Sequence, residues 1–599
     1  MSLLDRLRLE ARGLRMALQT GAVLRRLPLD GAASVADLVE RQARSAPSAP
    51  AIRFEGRTVT YGELDAAASR VAHWARSQGV ARGDVVALFL ENRPEYLFLW
   101  IGLAKLGAVA ALVNTNLRAG PLAHSLRVAG ATLHVVGAEL SGAYAEARAA
   151  LEEKPPVWVT GGSLSGADDL DVALEAQPET PVGPEARAGL RTRDLLFYVY
   201  TSGTTGLPKA ARISHHRFLT AAHAFRIGSE LTERDRVYVV LPLYHTAGGI
   251  CAVGMAAAAG ATIVLRRRFS ARQFWEDCVA EGVTVFQYIG ELCRYLLNTP
   301  PHPDEQRHRV RLCVGNGLRP DVWEAFRERF RIPRILEFYG STEGNVALTN
   351  LDGRPGAIGR VPWYLERFFT ARLIRFDVAA EAPVRGPGGF CVACAPGEIG
   401  ELVGKIPQDP KAALGRFEGY TEEGASEKKI LRDVFEKGDA WFRTGDLLRR
   451  DAAGYYYFVD RIGDTFRWKG ENVATSEVAE VLSTHPGVSE ANVYGVRVPG
   501  TDGRAGMAAL VVEGGLSLES LYAHVERQLP AYARPLFLRL RTEMEVTGTF
   551  KHRKVELVAE GFDPSTIAEP LFFADAEKRS FVPLDAALYE RIQAGEIRL

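Results

Sequence analysis

Four segments of the chain bring together residue types suited to holding anions. Tyr200–Lys209, YTSGTTGLPK, follows the apolar run Leu195–Val199. Thr201, Ser202, Gly203, Thr204, Thr205 and Gly206 offer hydroxyls and backbone N–H groups without bulk, as a polyphosphate requires, and Lys209 adds a point charge. The spacing is not that of a Walker loop. GNGLRP at Gly315–Pro320 and EFYGSTEG at Glu337–Gly344 each follow a short apolar strand, so both loops are placed at strand carboxyl ends, where α/β sheets bind ligands. Tyr339 can stack on a flat base, the backbone of Gly315, Asn316 and Gly317 can pass close to it, and Glu343 can hold a hard cation such as Mg2+ against phosphate oxygens. In WFRTGDL, Asp446 can accept from both hydroxyls of a ribose, and Arg461, opening DRIGDTFRWKGENV, can reach the same sugar or a phosphate. TGTFKHRK at Thr547–Lys554 closes the set. A lone T-G-D reads as a turn and a lone lysine as a surface residue. The combination carries the inference.

Apolar strands such as Val85–Leu90 alternate with helical patterns such as Tyr96–Leu106, which predicts α/β layers with largely parallel sheets. Ala382–Gly400, rich in Gly and Pro, reads as an irregular connection. After Asp460 a compact pattern restarts: a turn at Gly463–Asp464, a helix at Ser476–Ser483, strands at Ala491–Val498 and Ala508–Val512, and a helix at Leu518–Leu529. A domain boundary is expected near Arg461. Ala247–Leu265 carries no charge but reads as a helix ending at Gly260 and a buried strand from Ala261, and Phe98–Val113, with Lys105 inside it, reads as a buried helix rather than a span. At the N-terminus, Leu4, Leu7, Ala11, Leu14 and Leu18 share a helical face with Arg6, Arg8, Arg12 and Arg15 largely off it. This pattern fits a membrane-surface helix and a helix docked on the protein's own body equally well.

At 599 residues the chain exceeds one ordinary core, so a large and a smaller domain are expected. Its 73 basic and 73 acidic side chains leave no net field, which removes support for wholesale nucleic-acid binding. The six cysteines show no disulfide framework, and Cys391-x-x-Cys394 lacks the second pair a zinc ribbon needs. A reducing, cytoplasmic setting follows, with the inner face of a membrane as its site if the N-terminal helix binds lipid.

In order and spacing the four motifs resemble the adenylate-forming superfamily of acyl-CoA synthetases, luciferases and peptide-synthetase adenylation domains. GNGLRP, EFYGSTEGN, the stretch Gly419–Asp446 and DRIGDTFRWKGENVAT resemble its fatty-acid transport protein, or very-long-chain acyl-CoA synthetase, branch. The resemblance runs from about Thr60 to beyond Phe562. It implies an α/β fold with a large multi-subdomain N-terminal domain of stacked sheets and helices and a small mobile α+β C-terminal domain. The corresponding division is an N-terminal segment 1–30, an ATP- and acyl-binding domain 31–460 and a mobile domain 461–599. It also implies an AMP-forming ligase that takes ATP, Mg2+, coenzyme A and a long-chain or very-long-chain fatty acid.

Position by position, Thr201, Ser202, Thr204 and Lys209 would hold phosphates, Tyr339 and Thr342 the adenine side, with Gly340 and Ser341 between them also in the nucleotide site, Glu343 the metal, and Asp446 and Arg461 the ribose. Lys551 would be the adenylation lysine, with Thr201, Lys209 and Glu343 as its catalytic companions; His245, Tyr288 and Ile289 would line the acyl site, and Trp468, Lys469 and Gly470 would face CoA. The hinge position of relatives falls on Gly463 or Asp464, Thr549 and Phe550 are inserted before Lys551, and the N-terminal span of the animal transport proteins has no counterpart. Two other outcomes share these motifs: loading of a carrier-protein thiol, or luciferase-like oxygenation. A membrane-associated binding or transport protein is a third reading, and a serine hydrolase is disfavoured because G-x-S-x-G is missing.

Overall fold

The computed structural model describes residues 3–599 except 203–206, 379, 410, 500, 502, 513, 546–553 and 598. The chain divides into two compact units: Met1–Leu318 with Phe326–Arg354 and Ile406–Ile430, and Arg319–Ala325 with Pro355–Lys405 and Leu431–Leu599.

Among the described residues the first unit contains two large sheets. One has eight strands, with Val285–Ile289, Leu312–Asn316 and Ile335–Gly340 parallel neighbours and Ala347–Asn350 closing that edge antiparallel. The other has seven, in which Val85–Phe89, Val109–Leu112 and Leu195–Ser202 run parallel before Pro208–Ser214 turns back as a hairpin. Alternating strands and helices thus produce the expected layers. Helices Tyr61–Ser77 and Pro94–Leu106 bring Trp74, Val71, Leu99 and Leu103 into a common core with strand residues such as Val86, Leu112 and Ile263. Lys105, expected within a buried helix, is fully enclosed and donates to Glu40 at 2.9 Å and Asp65 at 2.7 Å, so its charge is compensated where it cannot be hydrated.

The Ala247–Leu265 stretch is a wide π turn, Ala247–Val253, continued by the helix Gly254–Ala259. Gly260 ends it at φ +71°, in the left-handed region, before the strand Thr262–Leu265. No helix among the described residues is long and apolar enough to cross a membrane.

The N-terminal helix, Leu3–Arg26, settles on the first unit. Arg12 pairs with Glu230 at 2.8 Å, Val23 packs on the core, and Gly228 in helix His215–Ser229 faces Met16. Leu18 nevertheless remains 65 % exposed. Docking is therefore the arrangement of this structure, with part of the apolar stripe left outward.

In the second unit, Ala357–Arg360, Tyr455–Arg461, Ala440–Arg450, Ile399–Lys405 and Ala371–Asp377 form an antiparallel sheet. Ala382–Gly400 is less irregular than its composition predicts, since Ala382–Pro383 and the bridge Ile374–Ala393 tie it to that sheet and the bridge Arg385–Cys391 closes it on itself. The hairpin Phe466–Trp468/Glu471–Val473 leads into a five-stranded sheet packed by helices Thr475–Ser483 and Leu518–Gln528 around Leu482, Met507, Leu521 and Phe537. All six cysteines are free thiols.

Candidate functional site

The phosphate-type segment is a hairpin in the first unit. Thr201, near the end of strand Leu195–Ser202, is directly across from Lys209 on strand Pro208–Ser214, so both arrive at the same edge. Gly203, Thr204, Thr205 and Gly206 lie outside the described residues, as does the side chain of Ser202. Ala211 bridges to Tyr420, and Thr421 N–H donates to Ala210 O at 3.0 Å, which fastens the distant 406–430 segment to this hairpin.

Tyr420 is the residue the motifs did not single out. Its hydroxyl donates to Glu343 Oε1 at 2.7 Å, it hydrogen-bonds Thr201, and the Lys209 ammonium is 5.9 Å from its ring centroid. Burial, then the Glu343 charge, pushes the Tyr420 hydroxyl far above its ordinary value, so it acts as a neutral donor. Thr201, Lys209, Tyr420 and Glu343 thus converge: two hydroxyls, a cation and a buried carboxylate around one place.

The EFYGSTEG loop is held from below by a second unforeseen residue. Arg217, in the first turn of helix His215–Ser229, donates through Nη2 to Ser341 O at 3.1 Å and Gly344 O at 2.5 Å. Burial lowers its pKa, opposed by Glu418 and Glu343. Ser214 caps this helix by accepting from Arg217 N–H, and its own hydroxyl donates to Glu418 at 2.5 Å. Thr342 shares a 2.9 Å hydrogen bond with Thr246, joining the loop to the segment that carries His245. His245 Nδ1 accepts from Ala247 N–H at 3.2 Å.

Gly315 and Asn316 end strand Leu312–Asn316, opposite Tyr288 and Ile289. A Cβ on Gly315 would fall 2.3 Å from Tyr288 O, so only glycine lets these strands close. Glu337, 1 % exposed, accepts from the Tyr288 hydroxyl, from Gly317 N–H and, at 3.2 Å, from Leu318 N–H. Burial pushes its carboxyl up to about 8. Tyr288 is thus enclosed with its hydroxyl on Glu337, while Tyr339 and Gly340 occupy the end of the next strand. The buried Glu343 carboxylate, hydrogen-bonded by a neutral phenol, suits Mg2+, which commonly takes one or two carboxylates with substrate phosphates. No cluster of three acidic, His or Cys ligands occurs among the described residues.

In the second unit Asp446 and Arg461 are directly opposite each other on adjacent strands, with Arg461 Nε 3.7 Å from Asp446 Oδ1. After them, Asp460 is buried and accepts from Thr465 Oγ1 at 3.0 Å and Thr475 N–H at 2.6 Å, which fixes the start of the following helix. Asp464 pairs with Lys554 at 3.1 Å, and Lys554 also donates to Thr475 at 2.7 Å. Lys551 lies outside the described residues. Trp468, expected to face CoA, is 2 % exposed and belongs to the small core, so it anchors the turn from within. Lys469 at φ +51° and Gly470 at φ +84° form the left-handed tip of the hairpin, with open space beside Gly470. The turn itself thus requires a residue tolerant of positive φ.

Comparison with known proteins follows the same lines. The sequence profile of the AMP-binding enzyme matches residues 39–403, and that of the AMP-binding enzyme C-terminal domain matches 477–551. Long-chain fatty acid transport protein 1 of Mus musculus is 47 % identical over 547 residues, 90 % of this chain and 84 % of that protein. Long-chain fatty acid transport protein 6 of the same species is 44 % identical over 572 residues, 94 % and 91 % of the two chains. The fold is that of an anthranilate CoA ligase solved with anthranoyl-AMP, at TM-score 0.75 and 24 % identity over 90 % of this chain and 98 % of that one. It is also that of ATP-bound MatB from Rhodopseudomonas palustris, at TM-score 0.73 and 23 % identity over 88 % and 98 %. The chain therefore belongs to the AMP-binding enzyme family, in the branch of the long-chain fatty acid transport proteins.

Proposed function

We propose that this enzyme ligates a long-chain or very-long-chain fatty acid to coenzyme A through an acyl-adenylate, releasing AMP and pyrophosphate. The observation that carries the reading is the convergence of Thr201, Lys209, Tyr420 and Glu343. A carboxylate resists acyl transfer because it is anionic and its leaving group would be oxide. Attack of its oxygen on the α-phosphorus of ATP expels pyrophosphate and gives a mixed anhydride. Such a step needs positioning and charge stabilisation, with no protein nucleophile.

Lys209 and Thr201 bind the departing phosphates, Tyr420 orients Glu343, and Glu343 would hold Mg2+, which supplies neutralisation on the phosphate oxygens. Glu337 and Arg217 fix the two loops that flank the base, where Gly315, Asn316, Gly317, Tyr339, Gly340, Ser341 and Thr342 are assigned. Asp446 and Arg461 take the ribose; His245, Tyr288 and Ile289 are assigned to the acyl side. Lys551 is the lysine of the adenylation step. The domain 461–599 then turns about Gly463–Asp464 so that the Trp468–Gly470 hairpin guides the CoA thiol, of pKa roughly 8.5 as a free thiol, onto the anhydride. We place this chemistry in the cytoplasm.

Incubation with ATP, Mg2+, palmitate and CoA tests the reading: AMP and palmitoyl-CoA should form one for one. Production of ADP, or thioester formation only on a carrier protein, overturns it.

A further inference from the structure

The turn 362–369 in the second unit presents aromatic side chains outward although its backbone is fixed. Leu365 N–H donates to Pro362 O at 2.9 Å, Phe368 N–H to Leu365 O at 3.0 Å and Phe369 N–H to Glu366 O at 3.2 Å. Two side chains pin it inward. Phe369 lies 6.2 Å from the Tyr456 ring, centroid to centroid, and Glu366 pairs with Arg450 at 2.7 Å. Trp363 and Phe368 point the other way and are 82 % and 66 % exposed. Their exposure does not come from a loose loop.

The charge around them has one dominant sign. Arg367 stands 4.6 Å over the Phe368 ring, Arg372 donates to Phe369 O at 2.6 Å and Ala371 O at 2.8 Å, and Arg450 lies beneath. The turn's one glutamate, Glu366, is taken up chiefly by Arg450, which also faces Asp451, and acts on Arg372 at longer range. The direct partners of Arg367 and Arg372 are an aromatic face and backbone carbonyls, which leave most of their positive charge in place.

We propose that the turn 362–369 is a docking site for an anionic lipid surface, with Trp363 and Phe368 entering the headgroup layer and Arg367 and Arg372 facing lipid phosphates. A tryptophan has an apolar body and a polar N–H, which suits the interface between headgroups and acyl chains. Basic groups held next to it add attraction to anionic lipid within about one Debye length of roughly 8–10 Å. Net positive charge beside a protruding aromatic pair matches an anionic bilayer, which is the occupant favoured over a second protein surface. The proposal is independent of the ligase reading.

The test is cosedimentation of the full chain with phosphatidylcholine vesicles and with the same vesicles containing phosphatidylglycerol. Binding to the anionic vesicles alone, weakened by salt, is expected. Trp363→Ser/Phe368→Ser should abolish it, Arg367→Glu should weaken it at least about fivefold, and Trp363→Tyr should retain it. A second set, Leu14→Ser/Leu18→Ser, separates the N-terminal helix and should leave most binding in place. The proposal is overturned if the double turn variant, still folded by circular dichroism, binds as wild type. It is equally overturned if binding is lost only in the helix variant, or if sedimentation velocity shows a dimer that the turn variant loses while wild-type vesicle binding is absent.

Discussion

Glu337 offers a test of how the Gly315–Pro320 loop, proposed to flank the base, is held, because one buried carboxyl serves three donors from two elements: the Tyr288 hydroxyl and the Gly317 and Leu318 amides. Glu337→Ala would orphan all three, at about 1 kcal/mol or more each, so a loss of roughly 3 kcal/mol in local stability is expected. Glu337→Gln keeps the shape and an oxygen for the amides but removes the ionisation. Burial raises the carboxyl from 4.5 to about 8, so between these values the native state holds a proton the unfolded state has released. Stability then falls as pH rises across that window, by up to about 1.4 kcal/mol per pH unit. The neighbouring thiols Cys293 and Cys313 are pushed well up by burial and add no titration there. Melting of a chain with two units is not two-state, so local opening is the better readout. Hydrogen exchange of the Gly317 and Leu318 amides, corrected for intrinsic rate, should show protection falling between pH 6 and about 8 in wild type and staying level in Glu337→Gln. A wild-type-to-variant difference that is constant over this range refutes the reasoning.

Tyr420→Phe removes the donor to Glu343 and should raise the KM for Mg-ATP by roughly tenfold, the value of one hydrogen bond to a charged group; an unchanged KM would deny Tyr420 its orienting role. Asp446→Ala should weaken ATP use by about tenfold or more, since a ribose diol loses a charged acceptor, and steady-state kinetics at varied ATP would show the assignment wrong if KM and turnover both stay put. Lys551→Ala should abolish adenylate formation while pre-formed acyl-adenylate plus CoA still yields thioester; wild-type adenylation in this variant, or equal loss of both half-reactions in a folded protein, counts against the two-orientation cycle. Lys105→Met leaves the half-buried Asp65 and Glu40, the latter still held by Arg187, without their shared cation and should cost about 3 kcal/mol locally, read as faster hydrogen exchange in helix Pro94–Leu106; unchanged exchange there would contradict the enclosed ion pair.

The sequence made local things legible. The motifs placed Thr201 and Lys209 together because paired strands close in the chain need only near neighbours to form. Lys105 inside an apolar run, and Gly260 at a helix end, were readable for the same reason. Tyr420 was not, since it reaches Glu343 only through the bridge to Ala211, 209 positions away in the chain. Arg217 and Glu337 looked like an ordinary helix arginine and a strand glutamate, and only burial against two loops gives them work. Trp468, a motif residue suggestive of ligand contact, packs in the small core, a burial that the motif does not show. The N-terminal helix had two apolar-face readings that periodicity cannot separate, and the Arg12–Glu230 pair decides for docking in this structure.

Acid-dependent exchange of labelled pyrophosphate into ATP, measured without CoA, tests the central proposal most directly. Formation and reversal of an acyl-adenylate predicts exchange that requires both the fatty acid and Mg2+, proceeds with CoA omitted, and collapses in Glu343→Gln. Absence of exchange until CoA is added, or exchange that ignores the fatty acid, would contradict the account.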